Sequence, residues 1–313
     1  MVETSGKLTL WGIEVFAAVA EERSVSAAAG RLGASPSAVS QQLANLEAAL
    51  GTQLVDRSAR PFALTPAGTL LRRRAETIIN EAAAARAELS SHDLSQLGRL
   101  SLGVIEDFDA EVTPRLLDRM GDRLKGTGFL LETGASHRLY DLFEARTLDI
   151  IVATESEDPA DWMDVHPLLE EPFVAVFPKG QTNIEALPLI HYTTRHLMGR
   201  QIARHLVREG RRFESRFEID SYVSIMAMVA RGAGWSVLTP LGALCGGSLD
   251  GVELADLPTR RPLSRRISLM ARKESFYEIP GEIAEHLRGL LATRVVSPAS
   301  ARWPWLGDRL RVL

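Results

Sequence analysis

Uncharged hydrogen-bonding side chains recur along one side of the segment from residue 36 to residue 50. Ser35-Pro36 before this segment and Gly51 after it predict a helix with Ser35 as N-cap and Pro36 at the first position. Apolar residues spaced by four, three and four predict one buried face, and the other face carries Ser37, Ser40, Gln41, Gln42 and Asn45. Such side chains donate and accept hydrogen bonds, and Gln pairs bidentately with adenine. The face therefore predicts contacts with DNA base edges.

Two further helices are predicted to position this face. An apolar residue recurs every third position from Leu10 to Val19, and a short helix, Ala27–Leu32, follows the possible caps Ser24 and Ser26 and ends at Gly33. Two short helices joined by a glycine-containing turn are typical of a helix-turn-helix, whose second helix enters the major groove.

A β-hairpin wing is predicted after this unit. Short apolar stretches at Gln53–Val55 and Phe62–Leu64 flank the turn-like Asp56–Pro61. Arg57 and Arg60 lie at the predicted tip, where they can contact phosphates or a minor groove.

Charge adds little to this prediction. The chain of 313 residues has a formal net charge of −4, and residues 1–75 hold eight Lys/Arg against six Asp/Glu. The slight basic excess favours DNA binding only weakly, so the motif carries the inference.

A long helix is predicted from Pro66, with Thr65 as its cap. Leu71, Ala75, Ile78, Ala82, Ala85 and Leu89 follow one another at alternating spacings of four and three. That spacing is typical of a heptad seam, and it favours a partner helix over packing against the chain's own head.

Strands and helices alternate through the rest of the chain. Residues 148–153 (LDIIVA) form a predicted buried strand, and a helix from Ser136 to Ala145 precedes it. A similar unit follows from residue 173, so we expect two α/β halves with largely parallel sheets. Residues 294–313 have no clear period and are interpreted as a docked tail.

The head resembles the N-terminal domain of LysR-type transcriptional regulators. The resemblance runs without a gap over Phe16, Ser24, Ala27, Ala28, Leu32, Ser37, Ala38, Val39, Ser40, Leu46, Glu47, Leu50, Gly51, Leu54, Arg57, Leu64, Thr65 and Gly68. It implies that Pro36, Ser37, Ser40 and Gln41 approach bases. Many members have a polar residue at the position of Pro36, and most have Phe at that of Val55. The resemblance also implies dimerisation through the long helix, tetramers, and a DNA site with dyad symmetry.

The segments LDIIVAT, LPLIHYTT and AMVARGAGWSVLTP resemble the periplasmic-binding-protein-like effector domain of the same family. The fold class is therefore α+β multidomain. We expect a winged helix-turn-helix in residues 1–66, a linker and dimerisation helix in 67–92, and an effector-binding domain in 93–313. Its subdomain I covers about 98–171 and 272–295, and its subdomain II covers about 172–271.

Effector contacts are expected in the crevice between the two halves, where strands end and helices begin. By family position the loops that supply them contain Ile105, Glu106, Asp107, Ser136, Thr154, Tyr192, Thr193 and Thr194. Their hydroxyls suit a small polar metabolite. Glu106 and Asp107 favour an ammonium group, as in an amino acid or amine, although solvated or helix-capping carboxylates explain them equally well.

Other classes of function have weaker support. The His residues at 191, 196 and 205 lack metal-ligand spacing, and no nucleophile elbow or dinucleotide-binding glycine pattern occurs, so no enzyme activity, metal or cofactor is expected. The single cysteine, Cys245, is interpreted as a small apolar residue rather than a redox sensor. A solute receptor without DNA binding does not explain the head. No membrane span or secretory leader is expected, which fits a cytoplasmic protein, with RNA polymerase as a further partner.

Overall fold

The computed structural model describes residues 7–57, 59, 63–89, 99–156, 158–183, 186–211, 215–273, 275, 276 and 278–313. The chain divides into two compact bodies, Met1–Arg99 and Leu100–Leu313. Among the residues just given, no helix is both long and apolar enough to cross a membrane.

The first body begins with three helices: α1 (Leu10–Glu22), α2 (Val25–Leu32) and α3 (Pro36–Leu50). The side chains of Thr9, Ser24 and Ser35 each accept a hydrogen bond from a first-turn backbone N–H. The predicted stops are also correct, because Gly33 and Gly51 adopt left-handed backbone with φ of 62° and 65°. Capping residues and glycines therefore set the boundaries of α2 and α3.

The wing is a short antiparallel pair, β1 (Val55–Asp56) and β2 (Ala63–Leu64), in which Val55 lies opposite Leu64. Helix α4 (Pro66–Leu89) follows, and the Thr65 hydroxyl accepts from the Gly68 N–H at 3.0 Å. A Cβ at Gly68 would lie 2.0 Å from the Leu54 carbonyl oxygen. Only glycine allows the first turn of α4 to pass so close to the base of the wing.

The predicted seam of α4 is wrong in its first turns. Ala75 is fully buried in the head core, and Leu71 and Ile79 pack against the same core. This stripe recurs every fourth residue and contacts α1, so Leu71 and Ala75 pack on the chain's own helices and not on the predicted seam. Ile78, which the seam included, is 39% exposed.

Eleven strands with described positions belong to or enter the second body. In chain order they are β3 (Arg99–Ile105), β4 (Gly128–Gly134), β5 (Ile150–Thr154), β6 (Met163–Pro172), β7 (Val174–Pro178), β8 (Leu189–Tyr192), β9 (Ser215–Ile219), β10 (Trp235–Leu238), β11 (Val252–Asp256), β12 (Ser264–Arg272) and β13 (Arg311–Val312). One sheet has the order β13-β6-β12-β5-β3-β4 and the other β11-β7-β10-β8-β9. These two sheets define the first and second halves of this body.

Both sheets are mixed, which corrects the prediction of largely parallel sheets. The pairs β3–β5, β8–β9 and β8–β10 are parallel, as strand–helix–strand units require. The two long strands β6 and β12 instead pair antiparallel with each other, and β12 also pairs antiparallel with β5. The sequence does not predict β6, because MDVHPLLEEP mixes two prolines and four charged or titratable residues with its apolar positions.

Helices cover these sheets and place several loops between the halves. They are α5 (Thr113–Arg123), α6 (Ser136–Glu144), α7 (Leu197–Arg208), α8 (Tyr222–Ala230), α9 (Pro240–Cys245), α10 (Ile279–Leu291) and α11 (Ser297–Arg302). The C-terminal segment is docked, as expected, because β13 extends the sheet along β6 and Leu306 and Leu310 are buried.

Candidate functional site

Helix α3 presents the predicted polar face outward. Val39, Leu43 and Leu46 are at most 2% exposed and fix the helix in the head core. Pro36, Ser37, Ser40 and Gln41 are all exposed on the opposite side. The Gln41 amide donates to Asn45 Oδ1 at 3.0 Å, which orders both side chains on the outer face. The face can therefore meet the edges of bases without reorganising the core.

Ser35 has a capping role in the structure. Its hydroxyl accepts from the Ala38 N–H at 3.2 Å and lies 3.0 Å from the Ser37 hydroxyl. This hydrogen bond satisfies one of the free N–H groups at the start of α3. Ser35 therefore sets the start of the helix, and Ser40 and Gln41 are the freer groups for base contacts.

Glu47 connects α3 to the base of the wing. One carboxylate oxygen accepts from the backbone N–H groups of Leu54 and Val55, and the other lies 3.0 Å from Arg57 Nη2. Arg57 remains 56% exposed. Glu47 thus holds Arg57 beside the head while leaving its guanidinium open to solvent. Arg60, the other predicted wing contact, lies outside the described residues.

A cleft between the two halves of the second body brings together most of the predicted effector residues. It encloses about 30 Å³, close to the volume of one water molecule. Predicted residues in its lining are Ile105, Glu106, Asp107, Ser136, Thr154 and Tyr192. Residues in the lining that sequence analysis missed include His137, His196, Met198, Tyr222 and Arg265.

Thr193 and Thr194 do not join this lining. Both hydroxyls donate to the Glu218 carboxylate on β9 at 2.9 Å, and the Thr194 N–H donates to it at 2.7 Å. These hydrogen bonds lower the pKa of Glu218. The loop after β8 therefore turns its hydroxyls toward the neighbouring strand, which a spacing argument could not foresee.

A buried ion triad joins the two halves beside the cleft. Arg265, at the start of β12, lies 2.9 Å from the Asp107 carboxylate and 2.6 Å from that of Glu171, and all three side chains are at most 6% exposed. Arg265 also donates to the Thr239 hydroxyl, and the Leu241 N–H donates to Glu171. Asp107 follows β3 of one sheet, while Thr239 and Leu241 follow β10 of the other sheet. The triad therefore connects the two halves of the second body.

The cleft has an excess of carboxylates. The single guanidinium of Arg265 faces both Asp107 and Glu171, and Glu106 lies at the opening without a cation partner among the described residues. Burial raises the pKa of Glu106, and the nearby carboxylates of Asp107, Asp109 and Asp220 raise it further. A cation in the opening would relieve this repulsion.

Two histidines lie on one wall of the cleft. The rings of His137 and His196 are 4.9 Å apart, and His196 Nδ1 is 3.3 Å from the Tyr192 hydroxyl. Burial, and next the neighbouring His137, lower the pKa of His196, which favours its neutral form. Within the part of the chain that the structure describes, no three His, Cys, Asp or Glu residues are placed to hold a metal.

The thiol of Cys245 is hydrogen-bonded to the backbone of Asp107. It donates to the Asp107 carbonyl oxygen, at an Sγ–O distance of 2.8 Å. Burial, with the carboxylates of Asp107 and Glu171, raises the pKa of the Cys245 thiol to about 12. A protonated thiol is a poor nucleophile and a poor target for oxidation.

Comparison with known proteins agrees with both parts of the chain. Residues 10–69 match the bacterial regulatory helix-turn-helix model of the LysR family, and residues 95–278 match the LysR substrate-binding domain model. A probable hydrogen peroxide-inducible genes activator of Mycobacterium avium is 29% identical over 304 residues, which cover 92% of this chain and 97% of that protein. The DNA-binding dual regulator OxyR of Escherichia coli is 25% identical over 274 residues, which cover 84% and 89%.

A solved structure supports the fold. A mutant of OxyR from Corynebacterium glutamicum superposes with a TM-score of 0.66 at 23% identity, covering 95% of this chain and 96% of that one. The family models together match most of the chain, including the recognition helix and the cleft described above. The chain therefore belongs to the LysR family of DNA-binding transcriptional regulators.

Proposed function

We propose that this regulator reads its DNA site through Ser37, Ser40 and Gln41 on α3, with Arg57 contacting the backbone. The observation that carries this proposal is the exposed polar face of a helix whose other face is buried. Pro36 at the first position supplies no N–H donor, so specificity rests on the side chains that follow it.

Selection of bound duplexes from a random pool, followed by affinity measurements, tests this proposal. Gln41→Ala should cost about 1–3 kcal/mol on the selected site and much less on unrelated DNA. Gln53→Ala is the matched control, because Gln53 is an exposed residue of the same type outside α3. Equal weakening of all DNA by Gln41→Ala would refute base readout by this residue.

The activity of the regulator is proposed to depend on a small polar ligand with an ammonium group that binds in the cleft. The single observation behind this is the carboxylate excess: Glu106 has no cation partner among the described residues, and Arg265 is shared by two carboxylates. Asp107 contributes charge to the site, but Arg265 occupies one of its oxygens, so Glu106 is the direct contact.

Ligand entry requires the cleft to widen. A space of about 30 Å³ holds about one water molecule, whereas an amino acid needs several times more. A ligand that binds the wider form better shifts the population toward it. Since the triad connects the two halves, that shift changes the position of one half relative to the other.

Calorimetry on the full chain, with a panel of primary amines and amino acids and their uncharged analogues, tests the ligand class. The wild type should prefer the ammonium compounds, and Glu106→Gln should lose that preference. Glu253→Gln, which changes an exposed carboxylate on β11 outside the cleft, should keep it. Equal binding of charged and uncharged analogues by the wild type would reject the amine and leave the regulator itself intact.

The relatives are named for a response to hydrogen peroxide, but the cysteine of this chain does not favour a thiol switch. The chain contains one cysteine, so no disulfide can form within it. That cysteine is hydrogen-bonded and has a raised pKa, which opposes attack on a peroxide. These features support ligand binding over cysteine oxidation as the input to this regulator.

A further inference from the structure

A second cavity of about 380 Å³ lies where α7 faces the crossing strands β6 and β12. It is more than ten times larger than the space inside the effector cleft. We call it the arginine pocket, and it is lined by Thr154, Glu155, Ser156, Glu170, Gln201, Arg204, His205, Arg208, Leu263, Ser264, Arg265 and Arg266. Its volume is in the range of sites for small metabolites.

Two cations in the arginine pocket, Arg204 and Arg208, form no ion pair with the residues that the structure describes. Arg204 and Arg208 lie four residues apart on α7, so they share one helix face, and both are exposed. Across the described residues, neither has a carboxylate oxygen within 4.0 Å, the limit for an ion pair. Two like charges at this spacing repel each other, and an anion would remove that cost.

The carboxylates at the same pocket are already engaged. Glu170 pairs with Arg311 of the C-terminal segment. Glu155 accepts from the Ser268 hydroxyl at 2.7 Å and is 3.8 Å from Arg266 Nη1, which is 48% exposed. The positive charge of Arg204 and Arg208 is therefore not neutralised by the walls of the pocket.

Polar groups with spare hydrogen-bonding capacity complete the pocket. Gln201 lines the pocket, and its Oε1 has no hydrogen-bond partner among the described residues, so turning the amide over would exchange this acceptor for an N–H donor. Ser264 and Arg266 line the same pocket from β12. The pocket thus offers guanidinium, amide and hydroxyl donors around one concave space, which is the donor set that oxyanions require.

We propose that the arginine pocket binds a small, multiply charged oxyanion, such as a phosphorylated or polycarboxylate metabolite. Arg204 and Arg208 supply the charge from α7 in the second half, and Arg266 contacts the same anion from β12 in the first half. The concave shape and modest volume favour a small molecule over the extended backbone of a nucleic acid.

This site would communicate with the effector cleft through shared residues. Thr154 and Arg265 line both cavities, and Arg265 holds the triad that joins the halves. An anion that binds both α7 and β12 therefore favours one relative orientation of the two sheets. The inference does not depend on the ammonium ligand, since it concerns a different cavity with charge of the opposite sign.

Calorimetry on the full chain at constant ionic strength tests the proposal, with inorganic phosphate, pyrophosphate and citrate as probes. Saturable binding of at least one probe is expected, weakened about tenfold or more by R204Q/R208Q. The matched control is R119Q/R231Q, which removes the same charge from exposed positions at α5 and α8 and should change the affinity less than twofold.

Two results would overturn the proposal. One is the absence of saturable binding, and the other is equal weakening in the two double variants, which would show general charge attraction. A loss of non-specific DNA affinity in R204Q/R208Q without binding of any probe would assign these arginines to DNA phosphates instead. Anion binding and amine binding are measured with different ligands on the same wild-type chain, so failure here and failure of the amine proposal are distinguishable.

Discussion

Arg265 neutralises two buried carboxylates that are far apart in sequence. It lies 158 residues from Asp107 and 94 from Glu171, so no local pattern could have paired them. The sequence placed Asp107 correctly at the cleft, because it follows a buried strand. The antiparallel pairing of β6 and β12 sets Arg265 opposite Glu171, and the sequence does not predict that pairing.

Arg265→Ala should destabilise the chain by about 3–5 kcal/mol, since it leaves two buried carboxylates without their cation. Arg119→Ala, at an exposed position on α5, should change stability by less than about 0.5 kcal/mol. Urea unfolding followed by tryptophan fluorescence measures both. Similar small effects would mean that the triad contributes little to the joining of the halves.

The thiol of Cys245 should react slowly with iodoacetamide in the native chain. Its pKa of about 12 leaves almost no thiolate at pH 8, whereas the unfolded chain exposes an ordinary thiol. Mass spectrometry of native and urea-unfolded samples over time measures the two rates. Equally fast labelling of native protein would contradict the buried, hydrogen-bonded thiol.

Elements with strong local signals were predictable, and those defined by pairing were not. Helices α2 and α3 have capping serines and terminal glycines, which mark their ends in the sequence. Strand β6 has no regular alternation of apolar and polar residues in its sequence. It is a strand because it pairs with β12 on one side and with β13 on the other. The apolar stripe of α4 could be predicted from the sequence, but its packing against α1 of the same chain could not.

At the junction of wing and helix, Gly68→Ala should destabilise the head by more than about 1 kcal/mol, because the added Cβ would lie 2.0 Å from the Leu54 carbonyl oxygen. Gly30→Ala is the control, because nothing lies within 4 Å of a Cβ there and α2 should gain about 0.5–1 kcal/mol. Thermal unfolding of the two variants gives the signs. Equal effects would argue against the close approach of α4 to the wing base.

Over the whole effector domain, the distribution of charge predicts how ligand binding depends on pH. Burial and neighbouring carboxylates raise the pKa of Glu106, so its negative charge is present above this raised value and is lost as the pH falls through it. Affinity for an ammonium ligand should therefore fall on acidification, starting at a higher pH than for an ordinary carboxyl group. Calorimetry between pH 4.5 and pH 8 should show this dependence in the wild type and not in Glu106→Gln.

The central claim is that a ligand in the cleft controls DNA binding by the same chain. The most direct test is the affinity of the full chain for its selected duplex, with and without an amine that binds the wild type. We predict a change of roughly 5–150-fold in Kd for the wild type, as coupling between two sites of one protein gives, and little change for Glu106→Gln. A Kd that stays the same when the cleft is saturated would contradict it.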